Sequence, residues 1–289
     1  MDSPTLIEAV DLFCGAGGLT YGLTKTNCVD VLCGVDIDPS CEFPYTHNNK
    51  SRFLLKRIED IVADEVVSYF SGKMPKLLAG CAPCQTFSHY YNPKKKSEDS
   101  RWKLLLEFGR LVRGVQPEFV TMENVPYLRE YDVFHKFIGI LRRNGYFLWY
   151  DVVDCSAYGL PQRRRRLVLL ASKYGNIALL SPQETHSVKT NVREAIGDLE
   201  PLMAGEVSAS DPLHRSRNLT ALNLRRIRHT TEGGNWREWP SRLVLRCHKK
   251  EHGKTFGSVY GRMRWTTPSP TITSPCRPTL KNPAFSDRT

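Results

Sequence analysis

The sequence predicts an α/β fold: a doubly wound, mostly parallel sheet with an antiparallel last strand, followed by a small basic C-terminal domain. Three observations predict it. Short apolar runs alternate with stretches of helical periodicity from residue 6 to about 153, the pattern of strands joined by crossover helices. A glycine-rich turn follows the first run and an acid ends the second, about 20 residues on, as in nucleotide-binding sheets. The charge is unevenly placed: of a net +11, nearly all lies from Gly205 onward, where 16 Lys or Arg face 6 Asp or Glu. A chain of 289 residues can bury one large core and a smaller one. The boundaries predicted are 1–180 for the sheet domain and 181–289 for the basic one.

The first strand is Leu6–Leu12, and Phe13-Cys-Gly-Ala-Gly-Gly18 follows it directly. Gly15, Gly17 and Gly18 allow a sharp turn and a close approach of backbone to a ligand, ahead of a helix carrying Leu19 and Leu23. The spacing is not G-x-G-x-x-G, so the loop alone specifies little. The second strand, Val29–Val35, ends in Asp36, placed to bind the two hydroxyls of a ribose. Asp38, just before Pro39, fits a helix cap better. A third strand is expected over Phe53–Ile58, with Asp60 just past its end, in reach of an adenine amino group. A helix over Ile61–Phe70 then leads into the strand starting at Leu77.

That strand delivers LLAGCAPCQTFS, with Cys84 on a turn beside Pro83 and Gln85, at the sheet edge where such folds bind ligands. Cys84 is a candidate nucleophile. A small buried hydrophobe, or a C-x-x-C pair with Cys81, are the other readings of these residues. The polar stretch Tyr90–Ser100, with Lys94, Lys95 and Lys96, reads as a basic loop beside it. Helical spacing over Trp102–Val115 precedes a strand at Glu118–Met122, which empties into Glu123-Asn124-Val125-Pro126. A helix (Val133–Leu141) and a strand (Tyr146–Val153) follow. The run Gln162-Arg-Arg-Arg-Arg166 then opens a strand at Leu167–Ala171, after a connection too short for a parallel crossover.

Other classes are disfavoured. No segment approaches the roughly 18 apolar residues of a membrane span, which with the acidic N-terminus predicts a soluble, cytoplasmic protein. Nine cysteines without framework spacing read as reduced thiols. Cys247, His248 and His252 have no second pair of ligands at a usual spacing, so no metal is expected. The basic segment with Trp236, Trp239, Tyr260 and Trp265 suits a phosphate backbone.

With these residues collected, the chain resembles the DNA cytosine-5 methyltransferases of bacterial restriction-modification systems. DLFCGAGGL resembles the family's S-adenosylmethionine loop, APCQTFS its Pro-Cys-Gln nucleophile motif, ENV its glutamate motif and QRRRR its Gln-x-Arg-x-Arg motif. The stretches RRIRHTTEGGNWREWP and VYGRMRWTTPSPTIT resemble its target-recognition region. Asp36 stands where the family usually has Glu. The resemblance implies a class I S-adenosylmethionine-dependent fold, with Phe13, Gly15, Gly17, Asp36, Ile37, Asp60 and Pro83 around the cofactor, and Cys84, Glu123, Arg164 and Arg166 as catalytic residues. Duplex DNA is the implied partner.

The implied chemistry needs these residue types. Cytosine C5 accepts a methyl only after a nucleophile adds to C6, and a thiolate is the strongest available. Glu123, protonated or sharing a proton, would serve N3 and the exocyclic amine, while Arg164 and Arg166 would hold O2. The base must be flipped out of its stack. Two alternatives remain: a tRNA cytosine-5 methyltransferase, whose Cys-Phe-Thr signature is missing, and a catalytically dead DNA-binding remnant. The family's two closing motifs find no counterpart before KNPAFSDRT. This predicts weak cofactor binding and poor methylation by the isolated chain unless a second polypeptide supplies them.

Overall fold

The computed structural model describes residues 6–83, 102–250 and 261–272. The chain divides into two units, one running to Val153 and resuming over Arg165–Leu180, the other formed by Asp154–Arg164 and the residues from Ser181 onward.

The first unit is built on seven strands: β1 (Ile7–Leu12), β2 (Val29–Asp36), β3 (Arg52–Leu55), β4 (Lys76–Gly80), β5 (Phe119–Asn124), β6 (Phe147–Asp154) and β7 (Arg165–Ser172), in the order β3-β2-β1-β4-β5-β7-β6. β1 pairs in parallel with β2 and β4, and β4 with β5. β7 enters between β5 and β6 and runs antiparallel to β5. The central strands are apolar on both faces, as parallel strands covered on each side must be; β1 is buried along nearly its whole length. Helices α1 (Gly18–Thr24), α2 (Glu42–Asn48), α3 (Ala63–Val67), α4 (Trp102–Val115) and α5 (Asp132–Arg143) connect them. The main core lies where α4 and α5 cover the sheet: Phe108 and Phe137 are fully buried with ring centroids 5.3 Å apart, over Val10, Leu78, Val120 and Met122.

Several boundaries differ from the sequence expectation, among them that of β7, which begins at Arg165 and not Leu167, and three others have a clear physical reason. The third strand stops at Leu55, where its only neighbour β2 ends at Asp36, and Ile58–Asp60 forms a 3-10 turn that drops Ile58 into the core. The following helix is shorter than Ile61–Phe70. Ile61 is fully buried in extended backbone, and Arg110 Nη2 donates to the carbonyls of Ile58 and Ile61 at 3.1 and 2.9 Å, holding that stretch out of a helix. The fifth strand extends through Asn124, because β7 keeps pairing with it at Glu123↔Val168 and Asn124↔Leu167.

The second unit carries α6 (Val192–Ile196), closed by an Asn191/Glu194 capping box, and α7 (Ala221–Arg228), capped by Thr220. Trp236, Trp239 and Leu243 form a small core there. Trp236 stacks on His248 with centroids 4.4 Å apart, and Trp239 Nε1 donates to Thr230 Oγ1 at 2.8 Å. Two of the tryptophans that suggested a nucleic-acid surface therefore hold this unit together. Tyr260 and His252 lie outside the described residues. Among the described residues no helix is long and apolar enough to cross a membrane.

Behind the first loop, β1 buries a carboxylate. Asp11 is fully buried; its Oδ2 accepts from Thr20 Oγ1 at 2.7 Å, and Thr20 lies 3.1 Å from the Tyr45 hydroxyl, itself 3.0 Å from Ser51 Oγ. Desolvation pushes the Asp11 carboxyl up from 3.8 to about 7, against the lowering effect of Thr20. A raised folded-state value means that the neutral acid stabilises the fold. That stability is complete below about pH 4 and is lost as pH rises through 7, by on the order of 4 kcal/mol at 1.36 kcal/mol per unit. Asp11→Asn, which mimics the neutral acid, should therefore gain several degrees in Tm relative to the parent between pH 5 and pH 8.5 in calorimetric scans. A difference that does not vary with pH would count against a neutral Asp11.

Candidate active site

The loop after β1 holds three residues in left-handed backbone: Phe13 at φ 57°, Gly15 at 53° and Gly17 at 87°. Phe13 is a bulky residue in a region that bulky residues avoid, a local strain that clusters at functional sites. At Gly17 a Cβ would stand 2.3 Å from Asn49 Nδ2 and 2.8 Å from the Tyr45 ring, so only glycine admits the close approach of loop and α2. The loop is pinned to β2 by Cys14 N–H donating to Val35 O at 3.1 Å. Asp36 ties it further, accepting from Gly15 N at 2.9 Å through one oxygen and from Asp38 N at 2.9 Å through the other. Each oxygen keeps a lone pair for a ligand. Asp38 caps the turn at Pro39–Cys41, accepting from Ser40 N at 2.9 Å.

Beside this loop lies a cleft of about 400 Å³. Of the residues expected around a cofactor, Phe13, Asp36, Ile37 and Pro83 line it. Gly15 and Gly17 shape the loop at its edge. Asp60 is exposed on the 3-10 turn, with its N–H donated to Arg57 O at 3.1 Å, and is not among the lining residues; Ile58 and Glu59 of the same turn are. Lys56, Arg57, Cys81 and Leu104 complete the wall; the sequence pointed to Cys81 only as a C-x-x-C partner of Cys84 and did not single out the other three. The signal for Lys56, Arg57 and Cys81 was position, in turns at the carboxyl ends of β3 and β4, while Leu104 comes from the start of α4. The combination of apolar walls with a hydrogen-bonding carboxylate suits a ligand with a flat apolar part and neighbouring hydroxyls. S-adenosylmethionine has both.

Cys81 connects the cleft to a second group of residues. Its N–H donates to Leu12 O at 3.2 Å, and its thiol hydrogen-bonds the Glu123 carboxylate. Burial first, then the charge of Glu123, holds this thiol well above the ordinary cysteine range, so Cys81 is a neutral donor and not a thiolate. Glu123 also pairs with Arg166, Nε to Oε1 at 2.6 Å, with both side chains largely shielded from water. The pairing of β5 with β7 explains the contact. Glu123 lies opposite Val168, so Arg166, two residues away on β7, is its diagonal neighbour on the same face. Asn124, buried in β5, donates through Nδ2 to Ala82 O at 2.9 Å and so anchors the turn that leads to Cys84. This role of Asn124 was not foreseen; a polar residue ending an otherwise apolar strand was the available sign. Cys84 and the 90–100 loop lie outside the described residues. Arg164 belongs to the second unit, where its carbonyl accepts from Cys155 N at 2.8 Å.

Comparison with known proteins agrees with this geometry. Residues 7–285 match the family described as C-5 cytosine-specific DNA methylase. The chain is 44% identical over 270 residues to the Type II methylase M.HgiDII of Herpetosiphon aurantiacus, covering 92% of this chain and 75% of that protein. It is 30% identical over 283 residues to the Type II methyltransferase M.PspPI of Psychrobacter, covering 94% of this chain but 64% of that protein, just under two thirds. Among solved structures, a protein described as a putative DNA modification methyltransferase encoded within an Escherichia coli prophage shares the fold, with a TM-score of 0.62 and 20% identity over 92% of this chain and 82% of that one. The chain therefore belongs to the C-5 cytosine-specific DNA methylases, a family of enzymes that take their methyl group from S-adenosylmethionine.

Proposed function

We propose that the protein methylates C5 of a cytosine within a specific duplex DNA sequence, through a covalent bond between Cys84 and C6 of a base flipped out of the helix. We further propose that it serves a restriction-modification system, that residues 1–180 carry the chemistry and that 181–289 recognise the target. The observation that carries this reading is the junction at Cys81: one residue lines the cleft and hydrogen-bonds the Glu123 carboxylate, three positions before Cys84. The cleft, the described segment that leads toward Cys84 and the Glu123 carboxylate are neighbours at the carboxyl edge of one sheet, where α/β folds work.

S-adenosylmethionine, when bound, supplies an electrophilic methyl on a sulfonium. Phe13 and Ile37 offer it apolar contact and Asp36 accepts from its hydroxyls. Cys84 adds as thiolate to C6 of the cytosine, pushing an electron pair into the ring. Glu123, protonated or sharing a proton, donates to N3 and accepts from the exocyclic amine as that charge develops. Arg166 aims the Glu123 carboxylate through Nε, and with Arg164 it holds O2. Cys84 departs with its bonding pair once C5 has gained the methyl and given its proton to solvent, and aromaticity returns.

A duplex carrying 5-fluorocytosine at target sites cannot complete that elimination. Incubated with saturating S-adenosylmethionine, the parent chain should give a denaturation-resistant protein–DNA adduct, slowly, in keeping with the poor turnover expected of the isolated chain, and Cys84→Ser should give none; an undiminished adduct from Cys84→Ser, or methyl transfer to tRNA and not to duplex DNA, would refute the reading. Arg166→Gln leaves the carboxylate without its partner, so turnover should fall on the order of 100-fold, comparable to losing one oriented group at a reacting centre. Cofactor affinity by calorimetry should be unchanged in that variant. Unaltered turnover would remove Arg166 from the site.

A further inference from the structure

The second unit contains a cavity of about 320 Å³ whose lining includes Arg163, Arg262 and Arg264 and, among the described residues, no carboxylate. We propose that these three arginines, converging on one solvent-open hollow, bind a phosphodiester of the DNA backbone. The proposal rests on duplex DNA being the substrate and adds a contact that the methyl-transfer chemistry does not require.

The arginines come from segments far apart in sequence, and the backbone sets each in place. Arg163 N–H donates to Ser269 O at 2.7 Å, Ser269 N–H donates to Pro161 O at 2.9 Å, and Thr271 Oγ1 donates to Arg163 O at 2.6 Å. This joins the stretch around Arg163 to that around Pro268–Pro270. Arg262 N–H donates to Gly234 O at 3.0 Å, and Trp265 N–H to Glu232 Oε1 at 2.8 Å, which brings the 262–265 segment against Gly233. Gly233 has φ 76°, and a Cβ there would stand 2.8 Å from Arg264 Nε. The glycine thus makes room for the guanidinium beside the main chain.

An anion seated in a hollow lined by three arginines gains charge-assisted hydrogen bonds from permanent cations. Arg163 and Arg264 are exposed and Arg262 is half-buried, so the hollow is open to an anion carried on a polymer. A recessed group of guanidinium donors suits a phosphate that protrudes from a duplex. Base edges lie inside a groove and call for a projecting side chain instead.

The test measures binding of the full 289-residue chain to two labelled duplexes of unrelated sequence by fluorescence anisotropy across a range of salt concentrations. Each backbone phosphate contact adds about 0.9 to the slope of log K against log salt. Arg264→Ala should weaken binding severalfold on both duplexes equally, and Arg163→Ala/Arg264→Ala, which leaves the phosphate only Arg262, should weaken it further and reduce that slope by about 0.9, the contribution of one phosphate. Both side chains are exposed, and the hydrogen bonds that place Arg163 come from its main chain, so both variants should retain the fold. Lys25→Ala, which removes the same charge from the end of α1, should leave the slope unaltered. An unchanged slope in the double variant, or a loss confined to one duplex, would overturn the phosphate assignment. The 5-fluorocytosine adduct, followed in parallel, separates the two readings. A parent chain that forms adduct while the double variant keeps its slope refutes the phosphate site alone. A parent chain that forms none while the double variant loses slope supports the phosphate site and refutes the covalent chemistry.

Discussion

The antiparallel entry of β7 between β5 and β6 is the constraint on which the glutamate depends. A parallel strand in that slot would need a long crossover. The antiparallel one pairs Glu123 with Val168 and sets Arg166 diagonally across from it, so the two charges meet at 2.6 Å without any loop to position them. An exposed ion pair would contribute about 0–1 kcal/mol, whereas breaking a buried one costs about 3–5 kcal/mol, because a charge is left without its partner. With side-chain exposures of 31% and 16%, the Glu123–Arg166 pair lies between these limits. The orientation of the carboxylate is thus fixed before any substrate arrives.

The same edge of the sheet places the cleft. β1, β2 and β4 all end there, and their successive turns contribute Phe13, Asp36 with Ile37, and Cys81 with Pro83. Hydrogen bonds from one turn to the next, Gly15 to Asp36 and Cys81 to Leu12, make the turns one connected surface. Asn124 does the same for the turn before Cys84. The buried Asp11 network lies behind this surface, so its protonation bears on the stability of the element that shapes the first loop.

The basic character of the C-terminal region was visible in its charge count, but the division of labour among its residues was not. Trp236 and Trp239 looked like groups for stacking on a ligand and are core instead, with Arg237 and Arg226 lying over their rings. The arginines that do converge on a hollow, Arg163 on one side and Arg262 with Arg264 on the other, are about 100 residues apart in the chain. Composition cannot distinguish an arginine that covers a tryptophan from one that faces a cavity.

The sequence by itself determined the alternation of strands and helices, the glycine loop, the acid at the end of β2 and the order of the motifs, because these depend on local periodicity and on residue types a few positions apart. It also indicated the antiparallel last strand, from the shortness of the connection before it. The early end of β3, the shortened α3, the hydrogen bond from Cys81 to Glu123, the partnership of Arg166 with that carboxylate and the Gly233–Arg264 approach were decided only by the tertiary structure. Each requires two segments distant in the chain to compete for the same space or the same hydrogen-bonding group, and the outcome depends on which strand lies beside which.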